Sequence, residues 1–351
     1  MAIKVSNTEV ISDSRGLNNI VSIDATTAAT LNSAGGGGGL AYGSTYVPIT
    51  VDYGQVPSWA AYDASEDKFV ATDHNTNFGA SWYSTDGTGK TWVENSLDSD
   101  VAYCRAGIAA SGSGTFVAAC NSGKISRSTN LGQSWTSVAP SYSSAGGAGG
   151  DWTCIAYGNG VFMGGYREYI FRSTNDGVSW SQPTNPAPSG YVFVSAANDG
   201  GNNWLATSYD RILRSTDNGA TWTDLGQKPT PAGVKNFYQV AYGNGFWVIA
   251  GQTGWIGSST DNGSTWTYKQ VHNSNFAGPS AGTYGAGGFL FSITDNKGGF
   301  VTGSGGYDTF LLQGSLNTYN INNFYSTAQS TTTKAAVFCA RDAKLMVRYE
   351  T

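Results

Sequence analysis

The chain has 351 residues, enough to bury a large core, and carries 19 Lys and Arg against 24 Asp and Glu, a net charge of -5. That balance excludes a phosphate-gripping surface, which needs surplus cations to displace counterions, so no nucleic-acid partner is expected. With 48 Gly, 20 Tyr and 11 Trp, the composition favours strands and tight turns over helices, and an all-β fold is expected.

The amino-terminal string MAIKVSNTEV has no long apolar run behind a positive start, and no run in the chain reaches membrane-spanning length. A soluble protein assembled in a cytoplasm, without membrane insertion, is expected. Apolar residues alternate in AIKVSNTEVIS, which predicts a hairpin around Ser6–Thr8, and Asp24 ahead of ATTAATLNSA can cap a short helix. Residues 1–34 do not fit the periodicity of the rest and are too few to bury a core alone. They read as an arm, with Val10, Ile11, Leu17, Ile20 and Ile23 as its anchoring side chains, and the Gly-rich stretch 35–42 as a linker.

The residues Val10–Arg15, Leu17–Ile20 and Ile23–Thr27 carry a resemblance to the opening segment of tail-fibre and other structural proteins of tailed phages, cyanobacterial phages in particular. The resemblance implies a virion protein, assembled in the host cytoplasm, attached to other virion proteins through residues 1–34 and working as a homo-oligomer.

From residue 43 onward one string recurs: STDGTGKTW at Ser84–Trp92, STNLGQSW at Ser128–Trp135, STNDGVSW at Ser173–Trp180, STDNGATW at Ser215–Trp222 and STDNGSTW at Ser259–Trp266. The closing tryptophans are 43, 45, 42 and 44 residues apart, the length of one four-stranded blade of a β-propeller. Ahead of the second, third and fifth copies, short apolar runs flank Gly-Ser-Gly or Gly-Asn-Gly, a hairpin signal. Within the string, Asp86, Asn130, Asn175, Asp217 or Asp261 can bond backbone N–H groups ahead of it, the glycine takes a left-handed turn, and the tryptophan opens the fourth strand.

These strings resemble the Asp-box, or BNR repeat, of sialidases and related propellers. The first copy carries one extra residue, and Asn130 and Asn175 replace Asp. The resemblance implies that the boxes lie on the outer edge and are fold determinants. After Trp266, GTYGAGGFLFSITDNKGGFVTGSG supplies a sixth blade without a box, ending near Phe310. Ala335–Ala340 and Lys344–Glu350 form a hairpin that needs partners, and Gly43–Tyr53 is strand-like. A seventh blade is expected from two inner strands of the carboxyl terminus and outer strands from Gly43–Tyr53, six blades being the alternative; closure removes exposed sheet edges.

Cys104, Cys120, Cys154 and Cys339 show no CxxC pair, and the only histidines are His74 and His272, so no metal or other cofactor is expected and the thiols are read as reduced. A sialidase needs an arginine triad and a tyrosine activated by glutamate. Here Arg127, Arg172 and Arg214 recur just before three boxes, as third-strand residues do. Glu168 beside Tyr169 is the one pair of the right types, and strand neighbours face opposite ways. Asp73, Asp100, Asp151 and Asp210 fall in loops, with nothing to single out two of them. No catalytic residue is assigned.

The face opposite the boxes carries His74, Asn75, Tyr166, Arg167, Tyr169, Tyr209, Asp210, Arg211 and Trp255, of which His74, Tyr166, Arg167, Tyr209, Arg211 and Trp255 are the candidate binding residues. Rings that stack on sugars, with Arg and Asn bonding hydroxyls, suit a host-surface glycan. The stretches Pro140–Gly150 and Pro183–Gly190 read as exposed loops. A displayed virion propeller is the leading expectation. The alternatives are a hydrolase acting on polysaccharide and a scaffold similar to the photosystem II assembly factors, which also carry Asp-boxes.

Overall fold

The computed structural model describes residues 3–5, 8–11, 45–50, 57–74, 79–99, 106–120, 123–140, 152–227 and 236–270, Val101 and Cys104, and then the strands 283–285, 288–291, 300–302, 310–312, 324–329, 336–340 and 344–349. The chain divides into two compact units, Met1–Gly37 with Ala41–Gly43 and Gly38–Leu40 with Ser44–Thr351. The small unit contains the expected hairpin, β1 (Ile3–Val5) paired antiparallel with β2 (Thr8–Ile11). Val10 and Ile11 lie on β2; Leu17, Ile20, Ile23 and the helix expected after Asp24 lie outside the described residues.

In the large unit, chain neighbours pair into antiparallel sheets. The first comprises β4 (Pro57–Asp63), β5 (Lys68–Asp73), β6 (Ala80–Ser84) and β7 (Trp92–Ser96). The second comprises β8 (Ile108–Ala110), β9 (Phe116–Ala119), β10 (Ile125–Ser128) and β11 (Thr136–Val138). The third has only β12 (Trp152–Gly158), β13 (Val161–Tyr166) and β14 (Tyr169–Ser173). The fourth is β15 (Ser195–Asn198) to β18 (Thr223–Gln227), with β16 (Trp204–Ser208) and β17 (Arg211–Ser215) between them. The fifth is β19 (Phe237–Gly243), β20 (Phe246–Gly251), β21 (Trp255–Ser259) and β22 (Thr267–Gln270). The sixth, expected without a box, is β23 (Thr283–Gly285), β24 (Gly288–Phe291), β25 (Phe300–Thr302) and β26 (Phe310–Leu312).

A further sheet runs β27 (Phe324–Gln329), β28 (Ala336–Ala340), β29 (Lys344–Tyr349) and then β3 (Thr45–Thr50). Both ends of the unit build it, as expected, but in a three-to-one division. The sequence reading missed β27, whose FYSTAQ is flanked by polar residues and lacks a turn signal, and so asked β3 to stand in for two strands. Each first strand contacts the first strand of the next sheet, β4 to β8, β12, β15, β19, β23 and β27, and β27 contacts β4 again. The succession of sheets is therefore closed on itself.

Sheets stacked side by side bury both faces of their middle strands, so those strands read as unbroken apolar runs rather than alternating ones. All four residues of β9, all five of β16 and all six of β13 are buried, whereas the outermost β7 and β22 are mostly exposed. The core consists of layers between sheets. Val117, Phe162, Phe171 and Trp152 fill the space between the second and third sheets, and Val161, Ile170, Trp204 and Trp222 the space between the third and fourth. Phe69, Trp82, Ala328 and Val337 join the first sheet to the one that contains β3.

The boxes connect third to fourth strands and form a repeated hydrogen-bond network. In the fourth sheet Ser215 Oγ donates to Asp217 Oδ1 (2.8 Å) and accepts from Gly219 N (2.9 Å). Asp217 Oδ1 accepts from Thr221 N (2.9 Å), Oδ2 accepts from Thr221 Oγ1 (2.6 Å), and Trp222 Nε1 donates to Gly219 O (3.2 Å). Ser259, Asp261, Thr265 and Trp266 repeat this in the fifth. Where Asn stands for Asp the polarity of one bond inverts: Asn130 Nδ2 donates to Ser134 Oγ and Asn175 Nδ2 to Ser179 Oγ, both at 2.9 Å. Ser128 and Ser173 still accept from Gly132 N and Gly177 N, and Trp135 and Trp180 still bond the glycine carbonyl. The first copy departs from the others. Its extra residue leaves Asp86 bonding Thr88, two residues on, while Ser84 Oγ accepts from Phe69 N; Trp92 still reaches Gly89 O.

Hydrogen bonds from Thr265, side chain first and then backbone, hold the exposed Asp261 carboxyl at a pKa of about 2, against a smaller opposing effect of burial and with help from Ser259. A depressed carboxylate pKa stabilises the fold above the unfolded value near 3.8, and that contribution is lost as pH falls through about 2. Urea denaturation of the native chain and of Asp261→Asn should therefore differ by a constant amount above pH 4, with the difference shrinking between pH 4 and pH 2.

The cysteine expectation is corrected: Cys104 and Cys120 form a disulfide, while Cys154 and Cys339 are buried thiols. The segment ahead of β8 runs beside the end of β9, with Ala106 N bonded to Ala119 O and Ala119 N to Gly107 O, and this brings the two sulfurs together. Burial pushes the Cys154 thiol up to about 12.

Candidate functional site

In the third, fourth and fifth sheets the second and third strands are joined by short turns at one edge. Three consecutive sheets place a non-glycine residue in the left-handed region there: Arg167 (φ 53°), Tyr209 (φ 54°) and Thr253 (φ 48°). For a bulky side chain this conformation costs on the order of 1 kcal/mol, and such outliers concentrate at sites of function. Arg167 and Tyr209 are exposed, and Tyr209 is the more notable because a large ring is normally hidden.

Around Tyr209 lies a connected cluster. Its ring is 6.2 Å from that of Tyr191, edge to face; Arg211 sits over the Tyr191 ring at 5.0 Å, and Arg211 Nη1 pairs with Asp224 Oδ2. Burial opposes the charge on Arg211, but Tyr191 and Asp224 outweigh it and raise its pKa. The guanidinium is thus held in one orientation, available to a ligand oxygen without a large entropic cost. Truncating it in Arg211→Ala should leave folding intact, since a partly exposed pair contributes at most about 1 kcal/mol, while freeing the Tyr191 ring. Thermal denaturation within a few degrees of the native chain checks this.

The other sequence candidates divide. Tyr166 is corrected: it is fully buried, packing edge-on against Trp152 (5.7 Å) and Phe171 (6.2 Å). As the last residue of a strand buried on both faces it belongs to the core, and it presents its ring to Arg167, whose guanidinium carbon lies 5.8 Å from the centroid. Trp255 is half-buried against Phe237 and Ile249, and His74 is half-buried at the end of β5. Asp73 is buried on β5, while Asn75, Asp100 and Asp151 lie outside the described residues. Arg127, Arg172 and Arg214 are on the third strands, as read, and do not converge.

Glu168 and Tyr169 require a second correction. Glu168 occupies the turn, not the strand, so the alternation rule does not separate them, and both line one cleft of about 500 Å³. Its opposite wall is Gln182 together with Pro183, Thr184, Asn185, Ala187 and Ser189, the last five from the stretch read as an exposed loop. Glu168 Oε2 accepts from Gly190 N (2.8 Å) and Ser189 Oγ (3.1 Å), and Asn185 Nδ2 donates to Glu168 O (2.5 Å). This loop leads directly into Tyr191, so the cleft and the Tyr191–Tyr209–Arg211 cluster are neighbours. Sequence reading missed Tyr191, Asp224, Gln182 and Asn185, which occupy no repeated position.

Among the described residues no group of three or more His, Cys, Asp or Glu side chains is placed to hold a metal ion, and no helix is long and apolar enough to cross a membrane. No known family matches the sequence, and no curated protein does. Solved structures do match. A structure of Ycf48 bound to a D1 peptide aligns with TM-score 0.64 at 15% identity, over 89% of this chain and 97% of the other. A catalytically inactive virginiamycin B lyase from Staphylococcus aureus, with quinupristin, aligns with TM-score 0.67 at 16% identity over 88% and 100%. The WD40 propeller domain of Doa1 aligns with TM-score 0.65 at 11% identity over 88% and 98%. At these identities the likeness concerns architecture alone, and it establishes this chain as an all-β protein of propeller fold built from four-stranded antiparallel sheets.

Proposed function

We propose that the chain is a displayed binding propeller without catalytic activity: a virion appendage protein, attached to other virion proteins through residues 1–34 as part of a homo-oligomer, that offers its propeller to a host-surface glycan. The observation that carries the binding reading is the Tyr191–Tyr209–Arg211–Asp224 cluster, in which an exposed ring is kept at positive φ beside an oriented guanidinium. An aromatic face and a fixed cation suit a sugar bearing an acidic group. The attachment reading rests on the resemblance of Val10–Arg15, Leu17–Ile20 and Ile23–Thr27 to phage appendage segments.

Incubating the chain with acidic surface polysaccharide separates the possibilities. Retention without released fragments, weakened in Tyr209→Ala and Arg211→Ala, supports binding; released fragments indicate a hydrolase. Deleting residues 1–39 should abolish incorporation into particles and leave the propeller folded. A second reading, a scaffold for an extended peptide, draws on the likeness to Ycf48 in its peptide-bound form; binding of unstructured peptides in preference to polysaccharide would favour it.

A further inference from the structure

The third sheet lacks a fourth strand. Its box ends at Trp180, and Ser181 exchanges two backbone bonds with Arg172 (2.8 and 2.9 Å), as the first residue of a fourth strand does. In the fourth sheet the equivalent strand continues from Thr223 to Gln227. Here Gln182-Pro183 follows, and a proline at 183 has no N–H to offer Ile170, the next residue of β14 whose backbone groups point toward a fourth strand. The chain leaves the sheet, loops through 184–189 and is pinned to Glu168. The cleft of about 500 Å³ is what this departure leaves.

Its walls have a specific chemistry. Tyr169 and Pro183 supply apolar surface, Thr184 and Ser189 hydroxyls, Asn185 and Gln182 amides, and Glu168 a carboxylate. Gln182 Oε1 is buried and has no hydrogen-bond partner in the protein, which costs free energy unless a ligand or water donates to it. The lining contains no Lys or Arg, so an acidic ligand is disfavoured, and the wanted group is a donor. The volume falls within the range of about 300–1,000 Å³ usual for small-ligand clefts.

We propose that this cleft is a binding site for a neutral pyranose sugar, whose apolar face lies on Tyr169 and Pro183 and whose hydroxyls donate to Gln182 Oε1 and to the Glu168 carboxylate. It is distinct in chemistry from the arginine-bearing cluster beside it and does not depend on that cluster's role.

Saturation-transfer NMR on the full-length chain with methyl glucoside, methyl galactoside and N-acetylglucosamine tests it. Transfer from the protein to at least one of these sugars is expected, with affinity in the millimolar range. Gln182→Leu should weaken it by about tenfold, the effect of removing one buried acceptor. Thr184→Trp, which fills the cleft from a solvent-exposed position, should abolish it, and Arg211→Ala should leave it unchanged. No transfer from the native chain to any of the three, or transfer that survives both cleft variants, overturns the assignment. Loss in Arg211→Ala also overturns it, by locating the sugar at the neighbouring cluster. Failure of acidic polysaccharide to bind leaves this result untouched, so the two readings fail separately.

Discussion

Gly177→Ala is expected to destabilise the propeller by about 3 kcal/mol, the sum of about 1–2 kcal/mol for a side chain at positive φ and about 1–3 kcal/mol for overpacking. Gly177 has φ 78°, and a Cβ built there lies 2.8 Å from Val117 Cγ2 on β9 of the preceding sheet. Valine has one stiff χ1 and cannot swing aside. The same contact recurs around the chain: Gly132 meets Val70, Gly219 meets Met163, and Gly263 meets Leu205, in each case a second-strand residue of the sheet before. Beside the glycine, the preceding sheet also reaches forward. Arg127 Nε donates to Asp176 O (2.5 Å), Arg172 Nε to Asn218 O (2.9 Å), and Arg214 Nη1 to Ser264 Oγ (3.1 Å), while Asn95 Nδ2 donates to Gly132 O (3.2 Å). The box is thus a clasp between sheets as much as a turn within one. Two comparisons check the account by urea denaturation. Val117→Ala in the Gly177→Ala background should recover part of the loss expected from simple addition, and Gly219→Ala should cost less, because the Met163 terminus can move away.

Trp152→Ala is expected to cost about 3–5 kcal/mol, the range for truncating a large aromatic in a core that cannot collapse around the gap. Trp152 is buried and lies 5.7 Å from Tyr166, 5.4 Å from Phe171 and 5.7 Å from Trp180, so one removal loses three ring contacts within the third sheet, in the layer that it shares with the second. It also stands over Gly164, where a Cβ would come within 2.6 Å of its ring, so that position offers no side chain to fill the space. A fall in thermal midpoint with an unchanged far-UV spectrum below the transition is the expected signature; an effect under about 1 kcal/mol would show that the layer repacks.

The boxes were legible because their chemistry is local: in the four later copies serine, carboxylate or amide, glycine and tryptophan satisfy one another within eight residues, and the spacing between copies reports the sheets. The sixth sheet was legible from its glycine turns alone. What the sequence hid is whatever depends on a partner from elsewhere. Arg127, Arg172 and Arg214 were correctly placed on third strands, but their acceptors lie in the following sheet. Tyr166 was misread as surface because a strand buried on both faces gives no alternation to mark its last residue. The disulfide depends on the segment before β8 doubling alongside β9, and β27 on a polar strand finding an apolar neighbour. Of the cluster around Tyr209, Tyr209 and Arg211 were found from their turn, while Tyr191 and Asp224 arrive from a loop and an outer strand that no periodicity marks.

The pairing of Thr45–Thr50 with Lys344–Tyr349 has a consequence for biogenesis. Thr45–Thr50 precedes all five boxes in the chain and Lys344–Tyr349 follows them, so the five sheets with boxes and the sixth can assemble as the chain emerges, while this pairing waits for β29. A prematurely terminated product would expose the unpaired flank of its last sheet together with an orphaned β3, two adhesive margins that native molecules never show to solvent.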